Sequence, residues 1–160
     1  MNETAAKTKT LIIGVGNPIL SDDAAGIRVG QYLKQRFPDL EVIETSEYGI
    51  GMLDYVTGYD RLVIIDSIKT GGQVGEVYKL ELADLNPASY YPTSHGVDIA
   101  TAFKLGQKLG YKIPGHICIY AIEVADNTSF SESCTAAIEA SLPSIAEQII
   151  KEESLNGLTD

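Results

Sequence analysis

The sequence predicts an α/β protein built on a largely parallel sheet of about five strands, on three observations. Apolar runs of strand length alternate with longer stretches whose apolar residues recur at helical spacing. Leu62-Val-Ile-Ile65 is the most hydrophobic run in the chain and reads as a buried strand. The 160 residues, 44% hydrophobic and 21% charged, make one domain of ordinary size, residues 1–160 with a core of about 10–151. A chain this long buries roughly 70% of its unfolded surface, so it needs neither disulfides nor a structural metal to hold a core.

Leu11 to Gly16 is the first strand. After the loop Asn17 to Asp22, residues Ala25, Val29, Tyr32, Leu33 and Arg36 follow helical spacing until Pro38 stops the helix. Glu41 to Thr45 forms a short, half-polar second strand, and the Gly-bracketed loop Ser46 to Gly51 leads into a short helix through Met52, Leu53 and Val56. Leu62 to Ser67 is the third strand. From Gly75 to Leu82 the chain alternates Val77, Lys79 and Glu81 with Tyr78, Leu80 and Leu82, which places a one-sided strand at or near a sheet edge, where an antiparallel orientation is allowed. A loop over Asn86 to Ser94 precedes a helix of about Val97 to Leu109, and Ile117 to Ile122 is the last strand. Ile138, Leu142, Ile145 and Ile149 keep one face across Pro143, so the sequence predicts a single kinked helix there, with the chain frayed from Glu152.

Charge and composition exclude several classes of function. Lys and Arg number 12 against 22 Asp and Glu, a formal charge of −10 with no basic run, which argues against nucleic acid or anionic membrane as partner. The first ten residues are polar and the apolar run after them is only a strand long, so neither a signal peptide nor a membrane anchor is expected, and the expected location is cytoplasmic. Two cysteines, Cys118 and Cys134, make no disulfide framework, and with only two histidines they limit any metal site.

Ligands of an open parallel sheet bind at the carboxyl ends of its strands, so polar residues just past those ends are the candidates. Asp23 follows the first strand and its loop, Asp66 ends the third strand, and His95 lies before the long middle helix; they are 43 and 29 residues apart, and only the fold can join them. Two carboxylates and an imidazole suit a divalent transition ion. Either Asp22 or Asp23 also suits a helix cap, and spacing alone does not choose between them. Asp66 ends so apolar a run that its carboxylate needs a cleft or a partner to avoid a large desolvation cost. His116, beside Gly115, is expected to be structural.

Gly14 and Gly16 permit a tight turn beneath a ligand, as do Gly49 and Gly51 after the second strand. A dinucleotide fingerprint would need glycine at position 19, where Ile stands, and two acids open the helix where pyrophosphate would bind. The alternative is a receiver-like phosphoacceptor signalling domain, with Asp22, Asp23 and Asp66 binding Mg. That fold needs a lysine after its fifth strand, and Ile122-Glu-Val-Ala-Asp126 offers none.

Gly14-Val-Gly-Asn-Pro-Ile-Leu-Ser-Asp-Asp-Ala-Ala-Gly26, Leu62-Val-Ile-Ile-Asp66-Ser-Ile68, Val74-Gly-Glu76-Val77 and Thr93-Ser-His95 together resemble the nickel-iron hydrogenase maturation endopeptidases, from about Thr10 to Lys151. The resemblance implies a three-layer α/β/α sandwich around a twisted sheet. It implies an endopeptidase, aspartic-type and metal-dependent or metal-recognising, that removes the C-terminal extension of the hydrogenase large-subunit precursor once nickel is inserted. The family's metal-contacting and catalytic positions fall on Asp23, Asp66 and His95, which chooses Asp23 over Asp22, and its substrate-binding loops fall on Gly16, Asn17, Gly49 and Gly51. Ser46-Glu-Tyr-Gly49 departs from the small-residue version of the second loop. A monomer is expected, with the large-subunit precursor as partner and nickel carried by that substrate, although other divalent ions suit the same donors. Read from the residues alone, the triad suits metal-assisted hydrolysis; the resemblance instead implies that it inspects the partner's metal. Tyr48, Tyr90 and Tyr91 are candidates for substrate contact. Neither cysteine reads as a nucleophile.

Overall fold

The structure, a computed structural model, describes residues 8–85 and 95–158. The strands are β1 (Thr10–Val15), β2 (Glu41–Thr45), β3 (Arg61–Ile68), β4 (Val77–Glu81) and β5 (His116–Glu123); the helices are α1 (Ala25–Arg36), α2 (Leu53–Val56), α3 (Gly96–Lys108) and α4 (Ala136–Glu152). The sheet runs in the order β2-β1-β3-β5-β4. All neighbours are parallel except β4, which takes the edge position its alternation predicts and pairs antiparallel with β5, the orientation such an edge allows. Asn86 to Ser94, and with it Tyr90, Tyr91, Thr93 and Ser94, lies outside the described residues.

The pleat divides the central strands between two cores. Ile12, Val63, Ile65, Cys118, Tyr120 and Ile122 face α1 and α4, while Leu11, Ile13, Leu62, Ile64 and Ile119 face α2 and α3. This is the three-layer sandwich. It accounts for the unbroken apolar run of β3, since a strand covered on both faces has no solvent side to reserve for polar residues. Each such Ile or Leu, fully buried here, contributes about 1.5–3 kcal/mol of transfer free energy.

Glycine sets how closely α1 lies on the sheet. A Cβ on Gly26 would sit 2.2 Å from the Ile65 carbonyl oxygen, and one on Gly14 would sit 2.6 Å from that of Gly26. Gly14 and Gly16 both allow close packing: a Cβ on Gly16 would meet the Asp23 carbonyl oxygen at 2.0 Å, so Gly16 seats the turn ahead of α1. Strand order reverses between β1 and β3, since β2 lies to one side of β1 and β3 to the other. The turn Ser21–Ala24 is thus pressed against the point where a crevice opens in such sheets.

α4 runs unbroken through Pro143, the single helix that its spacing predicts. Beyond it the chain stays packed where the sequence predicts fraying. Leu155 is fully buried, and Glu153 is enclosed by Arg61, Lys79, Tyr120 and Cys118. Burial alone would raise the Glu153 carboxyl, but hydrogen bonds from Tyr120, Cys118, Arg61 and Lys79 outweigh it and hold the group at about 2.

That depression has a defined sign. With a folded value of about 2 against an ordinary 4.5, Glu153 contributes stability that is complete above about pH 4.5 and lost as pH falls toward 2. Glu153→Ala is expected to cost about 3 kcal/mol at neutral pH, because it strands Arg61 beside a buried tyrosine. Urea unfolding between about pH 3 and pH 6 checks both statements, since the parent must lose more stability than the variant over that interval.

Candidate functional site

Asp23, Asp66 and His95 meet at the carboxyl end of the sheet. Asp66 is the sixth residue of β3 and has no solvent exposure. Its Oδ1 accepts hydrogen bonds from the Ser67 amide at 2.8 Å and from His95 Nδ1 at 2.8 Å, and its Oδ2 accepts one from the His95 amide at 3.2 Å. The carboxylate thus fixes both the backbone and the ring of His95. A carboxylate at Nδ1 selects the tautomer with the proton on that nitrogen, leaving Nε2 as the free lone pair. Nε2 lies 3.9 Å from Asp23 Oδ1.

Asp23 is held from the other side. Its Oδ2 accepts the Asn17 amide at 2.8 Å, and its Oδ1 lies 3.4 Å from the Ser67 hydroxyl. Burial raises its carboxyl above the ordinary value, with Asp66 adding to the rise against the opposing Asn17 amide and His95. Burial pulls His95 the other way, yet the hydrogen bond and charge of Asp66, joined by Asp23 and Asp98, leave the imidazole above its usual value. Tyr48 packs on that imidazole with centroids 4.2 Å apart and planes tilted by 34°.

Asp66 spends its oxygens on His95 and Ser67, so the atoms left to meet an incoming group are His95 Nε2 and Asp23 Oδ1, the latter holding a long hydrogen bond from the Ser67 hydroxyl. Among the described residues no group of three or more His, Cys, Asp and Glu is arranged to hold a metal ion by itself. One oxygen and one nitrogen can still touch a cation held elsewhere, or orient a water. Asn17 closes the neighbouring loop, its amide oxygen accepting from the Ile19 amide at 3.1 Å. Gly49 has open space around it, whereas a Cβ on Gly51 would collide with the movable end of Glu47.

Asp22 does something the sequence did not indicate. It has no solvent exposure and caps no helix. Its carboxylate accepts the amides of Ala125, Asp126 and Thr135 and the Thr135 hydroxyl, at 2.7 to 3.1 Å, and so ties the turn to a segment more than a hundred residues away. The acidic pair that a receiver-like Mg site requires is therefore absent: one member is consumed by backbone. Glu123, fully buried at the end of β5, likewise accepts the Thr70 and Gly72 amides and braces the loop after β3. Like Asp66, Glu123 is a carboxylate ending an apolar strand, and that pattern makes it legible in the sequence. Both thiols are buried and pushed up, Cys118 to about 12 and Cys134 to about 11, in line with neither being a nucleophile. His116 is exposed at the start of β5.

The family model described as "Hydrogenase maturation protease" matches residues 27–152. Among curated relatives, the chain is 36% identical over 63 residues to the hydrogenase 2 maturation protease of Escherichia coli K12, covering 38% of each protein. It is 23% identical over 154 residues to the hydrogenase expression/formation protein HupD of Thiocapsa roseopersicina, covering 86% of this chain and 67% of that protein. The chain spans about two fifths of the length of the first curated relatives it matches, 38% and 42%. Among solved structures, the hydrogenase maturating endopeptidase HybD of E. coli superposes with a TM-score of 0.76 at 23% identity, covering 94% of both chains. The [NiFe] hydrogenase maturation protease HybD of Thermococcus kodakarensis follows with 0.74 at 22% identity, covering 90% of this chain and 98% of that one.

The two adjacent aspartates are expected to respond oppositely to substitution. Asp22→Ala leaves three amides without their acceptor and should cost at least about 3 kcal/mol. Asp23→Asn removes a charge whose burial is unfavourable, and should leave stability unchanged or raise it by about 1 kcal/mol. Urea denaturation of the two variants alongside the parent measures the contrast.

Proposed function

Because the chain belongs to the hydrogenase maturation protease family, we propose that it is an endopeptidase that removes the C-terminal extension of a nickel-iron hydrogenase large-subunit precursor after nickel insertion. The nickel is part of the substrate, and Asp23, Asp66 and His95 recognise it. The observation that carries this reading is the convergence of Asp23 Oδ1 and His95 Nε2 to 3.9 Å, with Asp66 fixed behind them. That separation is close to the roughly 3.3–3.6 Å at which one tetrahedral ion, about 2.0–2.2 Å from each donor, bridges the two.

The roles divide by chemistry. Asp23 offers a carboxylate oxygen and His95 a ring nitrogen that gives up its proton to an incoming cation, while Asp66 orients His95 and adds negative charge. Two such donors touch a thiolate-held nickel without outcompeting its sulfur ligands. Docking of the metal then brings the scissile bond beside a buried, pre-oriented carboxylate and imidazole. Gly16 and Asn17, with Gly49 and Gly51, border the path of the tail. The reading takes residues 1–160 as one domain acting as a cytoplasmic monomer on a protein partner, with neither nucleic acid nor membrane involved. No helix among the described residues is long and apolar enough to cross a membrane.

Purified chain incubated with nickel-loaded precursor, followed by intact-mass analysis, tests the proposal. His95→Ala is expected to slow release of the tail by at least about 100-fold, and Asp66→Asn by about 10- to 100-fold. Full activity in either variant would show that the site is misassigned. Equally fast cleavage of nickel-free precursor would refute recognition of the metal even if the site stands.

A further inference from the structure

Beside the Asp23–His95 pair lies a cleft whose occupant the chemistry above leaves unnamed. It is about 230 Å³ in volume and is bounded by the loop residues Tyr48, Gly49 and Ile50 on one side and by Asp98, Thr101 and Ala102 of α3 on the other. Two observations attach it to the site: Tyr48, which lines it, is the residue packed on the His95 imidazole, and the charge of Asp98 at its rim reaches that imidazole. Small-molecule pockets run from about 300 to 1,000 Å³, so a space of this size suits one side chain and not a whole cofactor or metabolite.

Its lining states which side chain. Ile50 is 59% exposed on the loop, although the rest of that segment's apolar residues, Met52 and Leu53, are fully buried. Ala102 forms a small, buried floor, and Thr101 stands exposed at the lip. Among the described residues that line it, the charged group is the acidic Asp98, which repels a second carboxylate on a chain already carrying −10. An extended peptide advances about 3.3 Å per residue, so a residue near the scissile bond reaches a space walled by a neighbour of His95. Resting on the protease reading, we infer that this cleft is the specificity subsite for one large apolar residue of the substrate peptide, lying within three positions of the cleaved bond. Burial of that side chain against Ile50, Tyr48 and Ala102 fixes the register of the tail across Asp23 and His95.

The test uses nickel-loaded precursor in which each of the three residues on either side of the scissile bond is replaced, one at a time, by Ala and by Glu. For the parent chain, one originally large apolar position is expected to lose about tenfold in kcat/KM with Ala, and more with Glu. Thr101→Trp, which fills the cleft from the exposed lip, is expected to lower kcat/KM on unaltered precursor by about tenfold and to prefer the Ala substrate at that same position. Ile50→Asp serves as a second variant on the opposite wall, and must weaken use of the apolar residue at that position alone. If the parent shows no apolar-dependent position, or both variants cut unaltered precursor with parental kcat/KM and selectivity, the subsite is refuted while the protease reading stands. If the parent cuts no precursor at all, both fall.

Discussion

The contact on which the rest of this structure depends is the close approach of the α1 amino end to β1 and β3. Gly26 lies against the Ile65 carbonyl so tightly that a methyl group would overlap it, and Gly14 meets Gly26 in the same way. No other residue type permits that distance. Because the helix starts there and nowhere further out, the turn ahead of it is carried over the carboxyl ends of the two central strands. Asp23 is thereby brought within electrostatic reach of Asp66, 43 positions later in the sequence, and of the histidine that Asp66 holds.

Rigidity at that turn has a second source, the buried carboxylate of Asp22. Charge-assisted hydrogen bonds to three amides hold the segment at Ala125–Thr135 against the turn. Two consecutive side chains therefore point into different chemistry, one into the scaffold and the other into the site. On the β3 side, Asp66 positions His95 through its ring and its backbone together, so the imidazole arrives at the cluster already oriented. An orientation fixed during folding need not be fixed again when a substrate binds.

Much of this was legible in the sequence, for reasons that separate local from distant interactions. The strands were readable because a doubly covered sheet demands successive apolar residues, as at Leu62 to Ile65, and the β4 edge because a half-covered strand alternates. Asp66 was readable from the cost of desolvation alone. The choice between Asp22 and Asp23 was not readable from spacing, because it turns on amides more than a hundred residues away; only the motif resemblance selected Asp23. Glu153 was missed for a similar reason. Nothing in a polar run after a helix announces that Arg61, Lys79, Tyr120 and Cys118 will enclose it. Gly14 and Gly16 read as places of close approach, but sequence could not say that the atoms approaching them would include the protein's own backbone.

The two ends of the sheet also differ electrically. Near the start of β3, the buried carboxylate of Glu153 is answered by the cations of Arg61 and Lys79. At the other end, Asp23 and Asp66 share one imidazole, and among the described residues no lysine or arginine forms an ion pair with either of them. One pole of the molecule is neutralised from within, and the other carries an unbalanced negative potential in a partly dry setting, where Coulomb forces are strong. A positive group that settles there relieves a repulsion that folding leaves in place, so its binding and the stability of the fold are thermodynamically linked. The fold would be at its most stable when it is occupied.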